Sequence, residues 1–229
     1  MSLPDWWKFA IAALVLLFVV PVVWRIVKRF GMLLFLRTAV KAGLSDIGRK
    51  ALAQQPDVIR LEPCAAPQWK DAPAMEAMAQ PLLNKGFTDC GAFTVDKMPG
   101  VKIWILFQEH TWVAAHLYEH PKAGMWPELV TRYTNGASHS ITTMPATGIR
   151  PPAWITTIRS PKAPTDTLYE RLVRERSEIN IEHVVRDEVA RAFEAAYSRQ
   201  MIAMKNEGIS PEEVAAVAKK WAEKKIASA

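Results

Sequence analysis

The sequence is short of the residues from which familiar sites are built. Cysteine occurs only twice, as Cys64 and Cys90. There is no C-x-x-C pair and no Cys/His set with zinc-ribbon or zinc-finger spacing, which excludes a small zinc-stapled module. Two reduced thiols are expected if the domain is cytoplasmic. The ten glycines never form G-x-G-x-x-G or G-x-x-x-x-G-K, so the two common phosphate cradles are absent and no cofactor is expected. Repeats and low-complexity tracts are also lacking.

Excess charge is missing from most of the chain. Residues 1–60 hold nine of the 29 basic residues and three of the 23 acidic ones, which leaves twenty of each in residues 61–229. The net charge of +6 therefore lies wholly in the first 60 residues. A basic balance spread over a domain would argue for nucleic acid. Confined here beside an apolar run, it argues for anionic lipid headgroups, with no nucleic-acid partner.

That apolar run is the clearest feature present. Phe9 to Trp24 carries no charge. With Trp6 and Trp7 it approaches the ~20 residues that cross a bilayer. Trp6, Trp7 and Trp24 sit where indole rings favour the interface. The start, Met-Ser-Leu-Pro-Asp, is not basic, and Val-Val-Trp-Arg offers no small-x-small cleavage site. The reading is an uncleaved single-pass signal-anchor. Arg25, Lys28, Arg29, Arg37 and Lys41 follow it, which puts the N-terminus outside and the main domain in the cytoplasm, with an extracytoplasmic domain as the alternative. Arg25, Arg29, Arg37, Lys41 and Arg49 recur on an i+4 line among apolar residues, the pattern of a helix lying along the membrane surface.

The chain divides into an anchor (1–30), a basic amphipathic interfacial helix (31–60), a proline-containing linker (61–73), an α+β domain (74–178) and a C-terminal helical hairpin (179–229). In the domain, "GAFTVDKM", "VKIWILFQ", "WVAAHLYEH", "ELVTRYT" and "ASHSITT" alternate with period two. They predict an antiparallel β-meander of about five strands, helices packed on one face, with "WITTIRS" as a possible further edge strand. Asn135-Gly136 predicts a two-residue hairpin with positive φ at both turn positions. Trp126 falls in a loop bounded by Pro121 and Pro127. Ser210, Pro211 and Glu213 predict a capping box, with Ile209 stapled onto Val214.

Three functions compete. The first is a non-catalytic membrane-anchored interaction or assembly protein with a protein partner, the Met-containing stripe from Phe193 to Met204 serving as its surface. The second is a membrane-proximal domain that binds lipid or a small ligand. The third rests on His116, Glu119 and His120, which spell H-x-x-E-H, the inverted zinc-protease pattern. That motif needs a helix to bring both imidazoles onto one metal. In a strand the two histidines lie about 13 Å apart, with Glu119 on the opposite face. Ser138-His139-Ser140 suffers similarly, because neighbours in a strand face opposite ways. Trp126 and Arg150, on stiff proline-flanked segments, are the candidate recognition residues.

Overall fold

The computed structural model describes residues 43, 44, 46–146 and 148–227, with side chains through Lys219. The expected anchor, its flanking tryptophans and the basic residues Arg25 to Lys41 lie outside the described residues. Among those described, no helix is long and apolar enough to cross a membrane.

The body is α+β. Seven strands form one sheet in chain order: β1 (Leu61–Pro63), β2 (Thr88–Val95), β3 (Lys102–Gln108), β4 (Val113–His120), β5 (Gly124–Arg132), β6 (Ser138–Thr142) and β7 (Ile155–Arg159). β1 through β6 pair antiparallel, whereas β7 runs parallel to β6. The helices are α1 (Ala72–Asn84), α2 (Thr165–Glu175), α3 (Val189–Glu207) and α4 (Pro211–Ala227).

Period-two alternation sends every second side chain to one face, and both faces are covered. Met75, Ala79 and Leu82 of α1 and Leu168 and Leu172 of α2 pack on Leu106, Ala115, Leu117, Leu129 and Ile141. Val189 and Phe193 of α3 pack on Phe93, Ile103, Ile105, Ala114 and Val130 of the opposite face. Each buried Leu or Ile contributes roughly 1.5–3 kcal/mol. The expectation of helices on one face is thus corrected. β4 explains why: Leu117 and Ala115 are as deeply buried on one side as Ala114 and His116 on the other.

Other expectations change for local reasons. Leu61–Pro63 is an edge strand rather than the start of a linker, because only one of its edges must pair and proline tolerates that. Trp126 lies in β5, not in a loop, and Pro127 sits in the same strand opposite Leu117. The Asn135-Gly136 turn is wider than two residues. Tyr133 N–H donates to Ala137 O (3.0 Å) and Gly136 N–H to Tyr133 O (2.8 Å), and of the two central residues only Gly136 has positive φ (82°). Asn135 Oδ1 instead accepts from Ala137 N–H at 3.0 Å. Residues 179–185 are not helical: Ile181 bridges to Tyr133, and helix begins only after a 3-10 turn at Arg186–Glu188.

Helical residues 46–53, the end of the expected interfacial helix, rest on the chain itself. Leu52 is buried with Met201 and Ile209. The capping box forms as expected: Ser210 N–H donates to Glu213 Oε2 (2.9 Å), and Glu213 N–H donates to Ser210 Oγ (3.2 Å). Ser210→Ala is expected to cost about 1 kcal/mol, measured as a lower urea midpoint at unchanged slope.

Candidate functional cavity

β4 runs through the middle of the sheet, and its α3-facing side chains are Ala114, His116 and Tyr118. Opposite them on β5 stand Val130, Glu128 and Trp126. Arg132 extends the β5 row beside Ser138, and Val130 lies beside Ser140. The α3 face therefore changes character along the sheet. From β1 to β3 it is apolar and sealed by Val189 and Phe193. From β4 to β7 it carries histidine, tyrosine, glutamate, arginine and serines.

Over this polar half α3 does not close down. A cavity of about 130 Å³ remains, lined by His116, Tyr118, Glu128, Arg132, Ser138 and Ser140 from the sheet and by Phe193, Tyr197, Arg199 and Gln200 from α3. A single water needs only about 10–15 Å³ measured in this way, so the space takes a small molecule. Gly136, Ala137 and Trp154 form part of its rim.

The polar groups in the wall are unequally satisfied. Tyr118 donates from its hydroxyl to Glu128 Oε2 at 3.1 Å. Ser140 Oγ pairs with Thr157 Oγ1 at 3.1 Å. His116 is 1% exposed, and neither ring nitrogen has a hydrogen-bond partner among the described residues. Its contacts are aromatic, with Phe193 edge-on at 4.8 Å and Tyr118 at 6.2 Å between ring centres. Burial, aided by the Arg132 charge, pushes the His116 imidazole well below its ordinary pKa. Burial pushes Glu128 up and Tyr118 well up, the latter also under the Glu128 charge. Each group is thus biased toward its neutral form. Burial also works against the charge on Arg132.

The H-x-x-E-H segment is a strand. Tyr118 stands between His116 and His120 on their shared face, so the two imidazoles cannot meet at one metal. His120 Nδ1 accepts from Lys122 N–H (3.1 Å) and Ala123 N–H (3.0 Å), which shapes the β4–β5 turn. Glu119 points to the other face, where it accepts from Lys70 N–H (2.5 Å) and Lys102 Nζ (2.9 Å). The zinc-protease geometry is therefore not formed. Among the described residues, no group of three or more His, Cys, Asp or Glu is placed to hold a metal ion. His139 faces away from Ser138 and Ser140.

Trp126 stacks on Tyr118 at 5.0 Å and 17°, buttressing one end of the polar row. Arg150 lies outside the cavity, its backbone N–H donating to Glu213 Oε1 at 2.8 Å. The expected Phe193–Met204 surface is largely spent on the chain's own packing: Phe193 and Met201 are buried and Met204 packs beside Leu52. Cys64 and Cys90 are both free thiols.

Sequence reasoning passes over Glu128, Arg132 and Arg199, and weighs Ser138 and Ser140 only as partners for His139. The available signal was in "ELVTR". Two charges at even spacing on a strand flanked by strands on both sides must point into a covered face. No protein-family model matches the chain, and comparison with curated proteins and with solved structures finds no match.

Proposed function

We propose that this chain is a membrane-anchored binding protein whose α+β domain takes a small polar ligand into the cavity beneath α3. The observation that carries this reading is His116. A buried imidazole with both nitrogens unpartnered is costly, and such orphaned groups call for a specific explanation. His116 borders a solvent-connected cavity, where a small turn of the ring would bring its donor and acceptor to a guest. The bilayer attachment is the sequence reading of residues 6–24, and nothing in the cavity depends on it.

The test is a cavity plug. Ala196 lies on α3 in the cavity lining and is half-buried, so Ala196→Phe fills the space from the helix side. Wild-type chain purified in mild detergent is expected to carry a small molecule of defined mass, or to gain thermal stability from a small-molecule extract of its host. The plugged variant is expected to do neither. Equal behaviour of the two proteins would refute the reading.

An assembly role is the second reading. Ile179 and Val185 are 72% and 59% exposed on the segment between α2 and α3, and they offer a short apolar edge to a protein partner. The native mass of the detergent extract tests it: other polypeptides in fixed ratio support it, and a lone chain sinks it for any stable complex.

A further inference from the structure

We infer that the guest carries an oxyanion, a carboxylate or a phosphate, held between Arg132 of β5 and Arg199 of α3. This rests on the reading of the cavity as a binding site and adds the chemistry of what enters it.

Arg132 carries the argument. It is 8% exposed and lines the cavity. Its guanidinium makes no hydrogen bond or ion pair among the described residues; Glu128 and Glu182 act on it only through their fields. A buried charge is ordinarily paired, because desolvation costs several kcal/mol. Arg176 of this same protein shows the usual arrangement. It is equally buried, and its fork is filled by the Glu178 carboxylate at 3.2 and 3.3 Å. The corresponding place before Arg132 is cavity.

A second guanidinium faces the same space. Arg199 is exposed at the rim and adds a repulsive field at Arg132. Its Nη1 lies against the β5–β6 turn, 2.8 Å from where a side chain on Gly136 would begin. Glycine suits the positive φ there, and a side chain would have to displace the tip of the arginine. Two like charges brought toward one pocket from different elements are relieved by an anion between them, and the planar fork of arginine matches the two oxygens of carboxylate or phosphate. Ser138, beside Arg132 in the register, adds a hydroxyl donor.

The other end differs. His116, Tyr118 and Glu128 are biased toward their neutral forms and offer hydrogen bonds without net charge. The row from Arg132 to Glu128 spans four residues of one strand, roughly 13 Å. A fitting guest has its oxyanion at the rim and a hydroxyl, amide or amine at the deep end.

The experiment titrates the full chain in detergent, at constant ionic strength, with inorganic phosphate, succinate and succinamide, following thermal stability and tryptophan fluorescence. Vesicles containing phosphatidic acid are offered alongside. Phosphate or succinate is expected to bind at millimolar concentration, and succinamide is not. Arg199→Gln and Arg132→Gln are each expected to weaken binding by about tenfold or more. Arg199 is at the surface, so its variant tests the clamp even if the Arg132 variant folds poorly. Arginine-dependent binding to the vesicles in place of the soluble anions would support the clamp and assign the oxyanion to a lipid headgroup. Binding that ignores both arginines, equal binding of succinamide, or no response to any anion would overturn the inference. The binding reading would still stand if a neutral guest bound wild type and not Ala196→Phe.

Discussion

Arg176→Met is expected to destabilise the domain by about 3 kcal/mol, and to lower its melting temperature by roughly 10 °C. Arg176 follows the last turn of α2, and its side chain is 3% exposed. Nη1 donates to Thr111 O and, at 3.0 Å, to Thr131 Oγ1. One guanidinium thus ties the end of α2 to the β3–β4 turn and to the middle of the sheet. Thr131 is fully buried. Methionine fills similar space but leaves both oxygens without a donor, at about 1–3 kcal/mol for each orphaned group. Glu178 is 65% exposed and returns to water at little cost, so the loss falls on the two acceptors. Arg176→Lys keeps the charge but not the fork, and is expected to recover less than half of the loss. Urea unfolding followed by far-UV circular dichroism measures both. A loss below about 1 kcal/mol would mean that water reaches Thr111 O once the arginine is gone.

The turn that Arg176 holds has a feature that sequence reading passed over. Trp112 has φ of 54°, a region that bulky residues rarely occupy. Its ring stacks on His183 at 4.3 Å and 12°. The strain there is held by the Arg176 bond on one side and the stack on the other. Neither partner is near Trp112 in sequence, and no local propensity signals them.

Alternation made β2 through β6 legible, because each of those strands spends its side chains on two distinct surroundings. It was least informative about layers. Strands buried on both faces, such as β3 with Ile103, Ile105, Leu106 and Phe107, read as nearly continuous apolar runs, and these do not say how many helices cover them. β1 and β7 were harder still. Leu61–Pro63 offers three residues, too few for a period, and the parallel pairing of Ile155–Arg159 is set by the path of residues 143–154. The H-x-x-E-H segment reads as a strand in the sequence and is one, and the strand period alone separates its histidines. The cavity is not legible in this way: His116, one of its lining residues, reads as a zinc ligand, and Trp126, which stacks on the lining Tyr118, reads as a recognition loop. Recognising their neighbours required the register that sets His116 against Glu128. Arg199 required knowing which face α3 covers.

His116→Leu tests the cavity from the side of stability. At pH 7.5 it is expected to stabilise the ligand-free domain by about 1–3 kcal/mol, because an orphaned buried polar ring gives way to an apolar side chain that suits Ile105 and Phe193. The advantage should widen in acid. The folded protein holds this imidazole well below its ordinary pKa, while the unfolded chain binds the proton near pH 6.5. Below that value the unfolded state carries more protons than the native state, so wild-type stability falls as pH falls. The loss approaches about 1.4 kcal/mol per pH unit below that value and continues down to the folded pKa. His139, also lowered by burial, adds a loss of the same sign, and Glu128, raised by burial, adds one of opposite sign. Both groups remain in the variant. The difference between the two stability curves therefore isolates His116 and its coupling to the charges that face it, Arg132 and Glu128. A difference that grows steadily from pH 6.5 to 5, together with weaker ligand binding by the stabilised variant, is the signature of a group kept for function at the expense of stability. A difference that stays flat across that range would mean the imidazole takes its proton in the folded state, and would place a water or an acidic partner on it.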